Sequence, residues 1–165
     1  MVFLIGCKKN SSVKVDQQNM IISDFLMVSI KGKLKEDDII EVYFEESVQD
    51  PYTIENKQSL EVKGSSEIQD MVFRLPNRVY PMKLRIDLGS KGYETPFEIM
   101  EITISTGGKS KTFSVEEIKR VFRMNQYVEM ESGSNRFIRK EVNGTYDPFI
   151  LSGDLTNTIV ELFSK

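Results

Sequence analysis

Seven acids and no lysine or arginine lie between Glu36 and Asp50, and within that run Glu41, Tyr43 and Glu45 occupy alternate positions. If Ile40, Val42 and Phe44 face a core, the other three line the opposite face of one strand. A tyrosine ring between two carboxylates suits a sugar, because the ring stacks on C–H groups while the carboxylates accept from hydroxyls. The plainer reading is a solvated strand face whose acids pair across strands with residues such as Lys83 and Arg85. Glu36, Asp37 and Asp38 offer oxygen ligands for calcium, but the Asp-x-Asp-x-Asp-Gly spacing of a calcium loop is absent. No metal ligand and no cofactor is therefore assigned. Glycoside hydrolysis needs only two carboxylates about 5 to 10 Å apart. A small carboxylate-based hydrolase would place such a pair in a cleft, with one pKa raised by burial. Among 25 acids in 165 residues, however, the sequence singles out no pair.

The remaining composition excludes much other chemistry. With no His, no Trp and one Cys, the chain cannot supply a Ser-His-Asp or Cys-His system, a Cys/His zinc site or a haem histidine. The formal net charge of -3 lacks the basic surplus of a nucleic-acid binder. The most basic stretch contains Lys119, Arg120, Arg123, Arg136, Arg139 and Lys140. It also holds Glu129 and Glu131 and is flanked by Glu117 and Glu141, so it reads as a mixed solvated surface rather than a phosphate site.

Cys7 has no partner for a disulfide, so stability must come from a packed core. It follows the apolar run Val2 to Ile5 and Gly6. Leu4-Ile5-Gly6-Cys7 resembles the lipobox of bacterial lipoproteins. That resemblance implies cleavage before Cys7, diacylglycerol on its sulfur and an acylated new N-terminus, a multi-chain anchor that holds where one chain does not. The six residues before Cys7 form a shorter apolar stretch than the family's leader and lack its basic start. The alternative is an N-terminal strand with a buried free thiol. Residues 8–19, KKNSSVKVDQQN, read as a polar tether and residues 20–165 as a single domain.

From Met20 onward short apolar alternations are separated by Gly, Pro and Asn, the mark of antiparallel strands. In the clearest, Met82, Leu84, Ile86 and Leu88 share one face while Lys83, Arg85 and Asp87 share the other, as in a central half-buried strand. Leu26, Val28 and Ile30 alternate similarly, as do Ile40, Val42 and Phe44, and Met71, Phe73 and Leu75. Leu60 and Val62 form a shorter element. Phe97 and Ile99 alternate with Glu98, and Met100, Ile102 and Ile104 continue on the opposite parity, a change that predicts a β-bulge.

Hairpin turns are expected at Gly89 to Gly92, at Gly107-Gly108 and at Asn143-Gly144, the last between strands 137–142 and 146–151. Asn143-Gly144-Thr145 also fits a glycosylation sequon, which the tight turn explains better. Ser114 and Glu117 form a capping box for one short helix near residues 115–122. A final strand is expected around Thr158 to Phe163. Tyr52, Tyr80, Tyr93, Tyr127 and Tyr146 fall in or near loops, as packed anchors or a binding rim.

These elements predict an all-β, two-sheet antiparallel sandwich, jelly-roll-like. The domain resembles the carbohydrate-binding and galactose-binding-like modules of bacterial surface and periplasmic proteins in architecture, with no motif that transfers a binding residue. Short gaps between strands leave little room for a deep cleft, which favours binding over catalysis. The expectation is a lipid-anchored, extracytoplasmic module attached to membrane through Cys7. Glutamates 41 and 45 with Tyr43 are its candidate ligand face, and glycan or envelope polysaccharide its ligand class. The alternative is a subunit that docks another envelope protein through a sheet face or edge. Lys8 is not the aspartate that retains some lipoproteins at the inner membrane, which favours the outer membrane.

Overall fold

A computed structural model describes residues 25–49, 52–91 and 95–164. The expectations for Cys7, the tether at residues 8–19, the start of the domain at Met20 and Tyr93 lie outside these residues. The strands are β1 (Met27–Lys33), β2 (Asp38–Glu45), β3 (Lys57–Val62), β4 (Gln69–Arg74), β5 (Lys83–Asp87), β6 (Phe97–Thr106), β7 (Lys109–Ser114), β8 (Phe122–Met124), β9 (Val128–Met130), β10 (Arg136–Arg139) and β11 (Phe149–Ser152). Helices α1 (Val115–Val121) and α2 (Thr156–Phe163) complete the described chain.

The strands form two antiparallel sheets, as the apolar alternation requires. One runs β4-β1-β6-β10-β9, with β7 also paired to β6; the other runs β3-β2-β5-β11-β8. Val28, Ile30, Ile40, Val42, Leu84, Ile86, Ile102 and Ile104 are fully buried between them. Each such side chain contributes about 1.5 to 3 kcal/mol of burial. The chain crosses repeatedly from one sheet to the other, from β1 to β2, β3 to β4, β4 to β5 and β5 to β6 among the first six strands. The bulge falls in β6: Lys31 pairs with Glu101 but Gly32 with Ile99, so Met100 is the extra residue.

Turn chemistry set the local geometry but not always the destination. Gly107 and Gly108, both at positive φ, close the β6–β7 hairpin with Thr106 opposite Lys109. Asn143 and Gly144 also have positive φ, as a type I′ turn needs. Yet only Val142 and Thr145 bridge across them, and the flanking strands enter different sheets. The segment from Gly89 likewise joins β5 to β6 across the sandwich instead of closing a hairpin. The capping box forms: the Glu117 amide donates to Ser114 Oγ and the Ser114 amide to the Glu117 carboxylate.

The expected last strand is a helix. The β-branched run of Thr156, Thr158, Ile159 and Val160 carries strand propensity. The buried residues are instead Leu155, Ile159 and Leu162, at the four- and three-residue steps of a helix packed over the strand ends. Its C-terminal carbonyls, on Glu161 and Ser164, accept from Lys109 Nζ.

The two ends of the sandwich are closed by opposite means. Where β1 begins and β2, β4 and β6 end, α2 and the segment Pro76 to Met82 cover the core; Leu75 donates to the Leu26 carbonyl and Leu155 to that of Met82. At the other end Arg139 and Asp38, both with fully buried side chains, form an ion pair at 2.7 Å. Arg139, grouped by sequence with a solvated basic stretch, is thus interior. Its Nη1 also donates to the Leu88 carbonyl, and its Nε and Nη2 to Thr95. The second Asp38 oxygen accepts from the amides of Ile39, Ser90 and Lys91. Gly89, at φ 133°, lies against this pair, and a Cβ there would collide with both Arg139 Nη1 and Asp38 Oδ2.

Breaking the pair leaves a charge buried without its partner. Arg139→Met is expected to cost about 3 to 5 kcal/mol in urea unfolding. Gly89→Ala should cost about 2 kcal/mol or more, from strain at positive φ combined with the collision. A loss below about 1 kcal/mol in Arg139→Met would show that the pair does not close this end.

Candidate functional site

The outward face of the β3-β2-β5-β11-β8 sheet carries the predicted ligand residues in two cross-strand rows. Lys57, Tyr43, Arg85, Leu151 and Arg123 follow one another across the five strands. Beside them run Ser59, Glu41, Asp87 and Phe149. The period-two alternation that buries Ile40, Val42, Leu84 and Ile86 is what turns these side chains outward.

Glu41 and Tyr43 are brought together. The Tyr43 hydroxyl donates to Glu41 Oε2 at 3.0 Å, while Lys57 Nζ and Ser59 Oγ each donate to Oε1 at 2.6 Å. Burial disfavours the Glu41 charge, but these three donors outweigh it and hold the carboxyl below its ordinary pKa. The cross-strand partner of Glu41 is therefore Lys57 on β3, not Lys83 or Arg85.

Glu45 stands apart. It shares the parity of Glu41 and Tyr43 and lies 4.0 Å from Lys83, yet it is only 7% exposed. Tyr52 lies beside its carboxylate and meets the Tyr43 ring edge-on at 6.2 Å. The Tyr52 hydroxyl is buried without a hydrogen bond of acceptable geometry. Burial, then the adjacent Glu45 carboxylate, raises its pKa well above that of a free phenol.

Arg85 organises the other half of the face. Its Nε and Nη2 donate to the two Asp87 oxygens at 2.6 and 3.0 Å, and Nη2 also donates to Asp147 at 2.7 Å. The guanidinium carbon lies 3.8 Å from the Phe149 ring centroid and 5.4 Å from that of Tyr43. Burial raises the Asp87 pKa against the opposing pull of Arg85. Asp87 and Glu41 are the facing acids a hydrolase would need, but both oxygens of the Asp87 carboxylate are engaged by one guanidinium, that of Arg85.

The other sequence candidates disperse. Glu36 accepts from Thr95, Asp37 from Lys63 and Gly64, and Asp38 from Arg139, so the three acids do not converge on a cation. Among the described residues no group of three or more acids or cysteines could hold a metal ion. Arg136 pairs with Glu131 and Lys140 with Glu129, which divides the basic stretch into local pairs. Sequence reasoning set Asp87 beside Arg85 and Tyr52 in a loop as an anchor or binding rim, but did not join Asp87, Phe149 or Tyr52 to the face around Tyr43. The first two were findable by carrying the strand parity of Arg85 across a neighbouring strand; Tyr52 reaches the face through a loop, which no alternation encodes. No family model, curated protein or solved structure matches the chain.

Glu41→Gln keeps the shape and removes the charge that Lys57 pairs with, so it should cost about 1 kcal/mol at pH 7. A depressed folded pKa contributes stability above the unfolded value of 4.5, lost as pH falls through the folded one. The difference between Glu41→Gln and the unaltered chain should accordingly shrink below pH 4.5 in urea titrations. A gap that stays constant through that range would contradict the pairing.

Proposed function

We propose that the protein is a lipid-anchored module of the bacterial cell envelope, with the outer membrane favoured, that binds glycan or envelope polysaccharide through the face around Tyr43. The supporting observation is a contrast between the two outward sheet faces. That of β3, β2, β5 and β11 interleaves the rings of Tyr43 and Phe149 with Glu41, Lys57, Arg85 and Asp87. The outward face of β1 and β6 has simple Lys31–Glu101 and Lys33–Glu98 pairs and no aromatic ring on either strand's outward positions. Half-buried rings framed by fixed donors and acceptors form the kind of surface that stacks on a sugar and bonds its hydroxyls without reorganising.

The anchor rests on Leu4-Ile5-Gly6-Cys7. Among the described residues no helix is long and apolar enough to cross a membrane. A second reading, a subunit that docks another envelope protein, is favoured by the edge strand β4, on which Val72 is 48% exposed. This reading predicts copurification with a protein and silence toward sugars.

The test is a glycan and polysaccharide binding screen on the full chain, with Tyr43→Ala and Tyr43→Phe alongside. The alanine variant should weaken binding by about 1 to 2 kcal/mol, roughly five- to thirty-fold. The phenylalanine variant should keep most of it. Silence across the screen would remove the glycan reading. Mass spectrometry of membrane-extracted native protein should show acylated Cys7, and an unmodified Cys7 in a wholly soluble pool would remove the anchor.

A further inference from the structure

The helix-covered end of the sandwich also gathers exposed apolar side chains. Val48 follows the end of β2 and is 76% exposed; Ile54 precedes the start of β3 and is 74% exposed. Both belong to this end because Tyr43, near the end of β2, pairs with Lys57, the first residue of β3. Val160 on α2 is 60% exposed and Tyr80, which stacks edge-on against Phe163 at 4.9 Å, is 45% exposed. Tyr80, Met82, Ile159, Val160 and Phe163 line an apolar groove of about 200 Å³. Ile68, at the opposite end, is also exposed but stands singly, whereas exposed apolar residues that share one end mark an interaction surface.

The described chain begins at this same end. Phe25 lies under the Arg74 guanidinium, 3.6 Å from it, and Leu26 accepts from Leu75 just before the segment that lines the groove. Only residues 8–24 separate Phe25 from Cys7, and a polar chain of that length has a root-mean-square span of about 23 Å, less than the roughly 34 Å of the ten-residue β6. An acylated Cys7 would therefore hold this end nearer the bilayer than the end closed by Asp38 and Arg139. Charges around the apolar residues are of both signs, with Arg78 and Lys109 against Glu46 and Glu161. They do not select an anionic surface.

We propose that this end is a bilayer-contacting surface, with Val48, Ile54, Tyr80 and Val160 meeting the headgroup–acyl boundary. The inference rests on the anchor reading at Cys7. Contact is driven by apolar burial and aided by the high local concentration that tethering imposes, so it is insensitive to salt.

The chain has no tryptophan, so a single one introduced by substitution reports its own surroundings. The native acylated full chain carrying Val160→Trp or Ile54→Trp, both at exposed positions, would be reconstituted into phosphatidylcholine vesicles. Ser66→Trp, in the exposed loop between β3 and β4 at the opposite end, serves as control. All three should pellet with vesicles. Emission from the first two should shift to the blue and be quenched by brominated phosphatidylcholine, unchanged in 1 M salt, while the control should not be quenched. Pelleting with Val160→Trp and Ile54→Trp unquenched, or with all three quenched alike, would overturn the inference and leave the anchor standing. Failure to pellet would remove the anchor and the inference together.

Discussion

A carboxylate and a guanidinium with no exposed surface persist inside an apolar sandwich only if every lone pair and N–H they carry finds a partner. Asp38 and Arg139 meet that condition by drawing on separate segments. Arg139 spends its five N–H groups on Asp38, Leu88 and Thr95. Asp38 adds the amides of Ile39, Ser90 and Lys91. The pair therefore ties β2 and β10, in different sheets, to the crossing that leads from β5 to β6. It also requires glycine at position 89, where the backbone passes too close for a Cβ.

That arrangement leaves the two ends of the molecule with unlike physics. Directional bonds fix one end, where each donor has a single correct acceptor. The other is covered by an eight-residue helix and a loop that meet through apolar contacts and a few backbone bonds. Side-chain shape matters more there than pairing. Between the ends, the outward face around Tyr43 is neither dry core nor open surface. Its ions are held by one another and by aromatic rings, which fixes their positions while leaving ring edges and carboxylate oxygens near solvent.

Much of the sandwich was legible because alternation is a local property. Leu84, Ile86 and Leu88 declare their face without reference to any other strand, and Ser114 and Glu117 declare their helix. Destination is not local: Asn143-Gly144 makes the turn its residues demand, but nothing in that dipeptide says that β11 enters the other sheet. The final helix was misread because its β-branched residues outweighed the Leu155, Ile159, Leu162 spacing. The interior ion pair did leave a signal. Asp38 shares parity with Ile40 and Val42, and Arg139 with Phe137, so each charge continues an inward apolar face. Glu45 shows the converse limit, since strand parity turns it outward and yet it is buried with Tyr52 beside it.

The partners in the ion pair are 101 residues apart in sequence. A chain that emerges from its N-terminus holds Asp38 for most of its synthesis before Arg139 exists, and the loop joining them is among the most costly in entropy to close. The seal on that end of the sandwich is thus a contact of high sequence separation, which no chain lacking Arg139 can make. Until Arg139 is present, Asp38 is an acid without its cation at the mouth of the core.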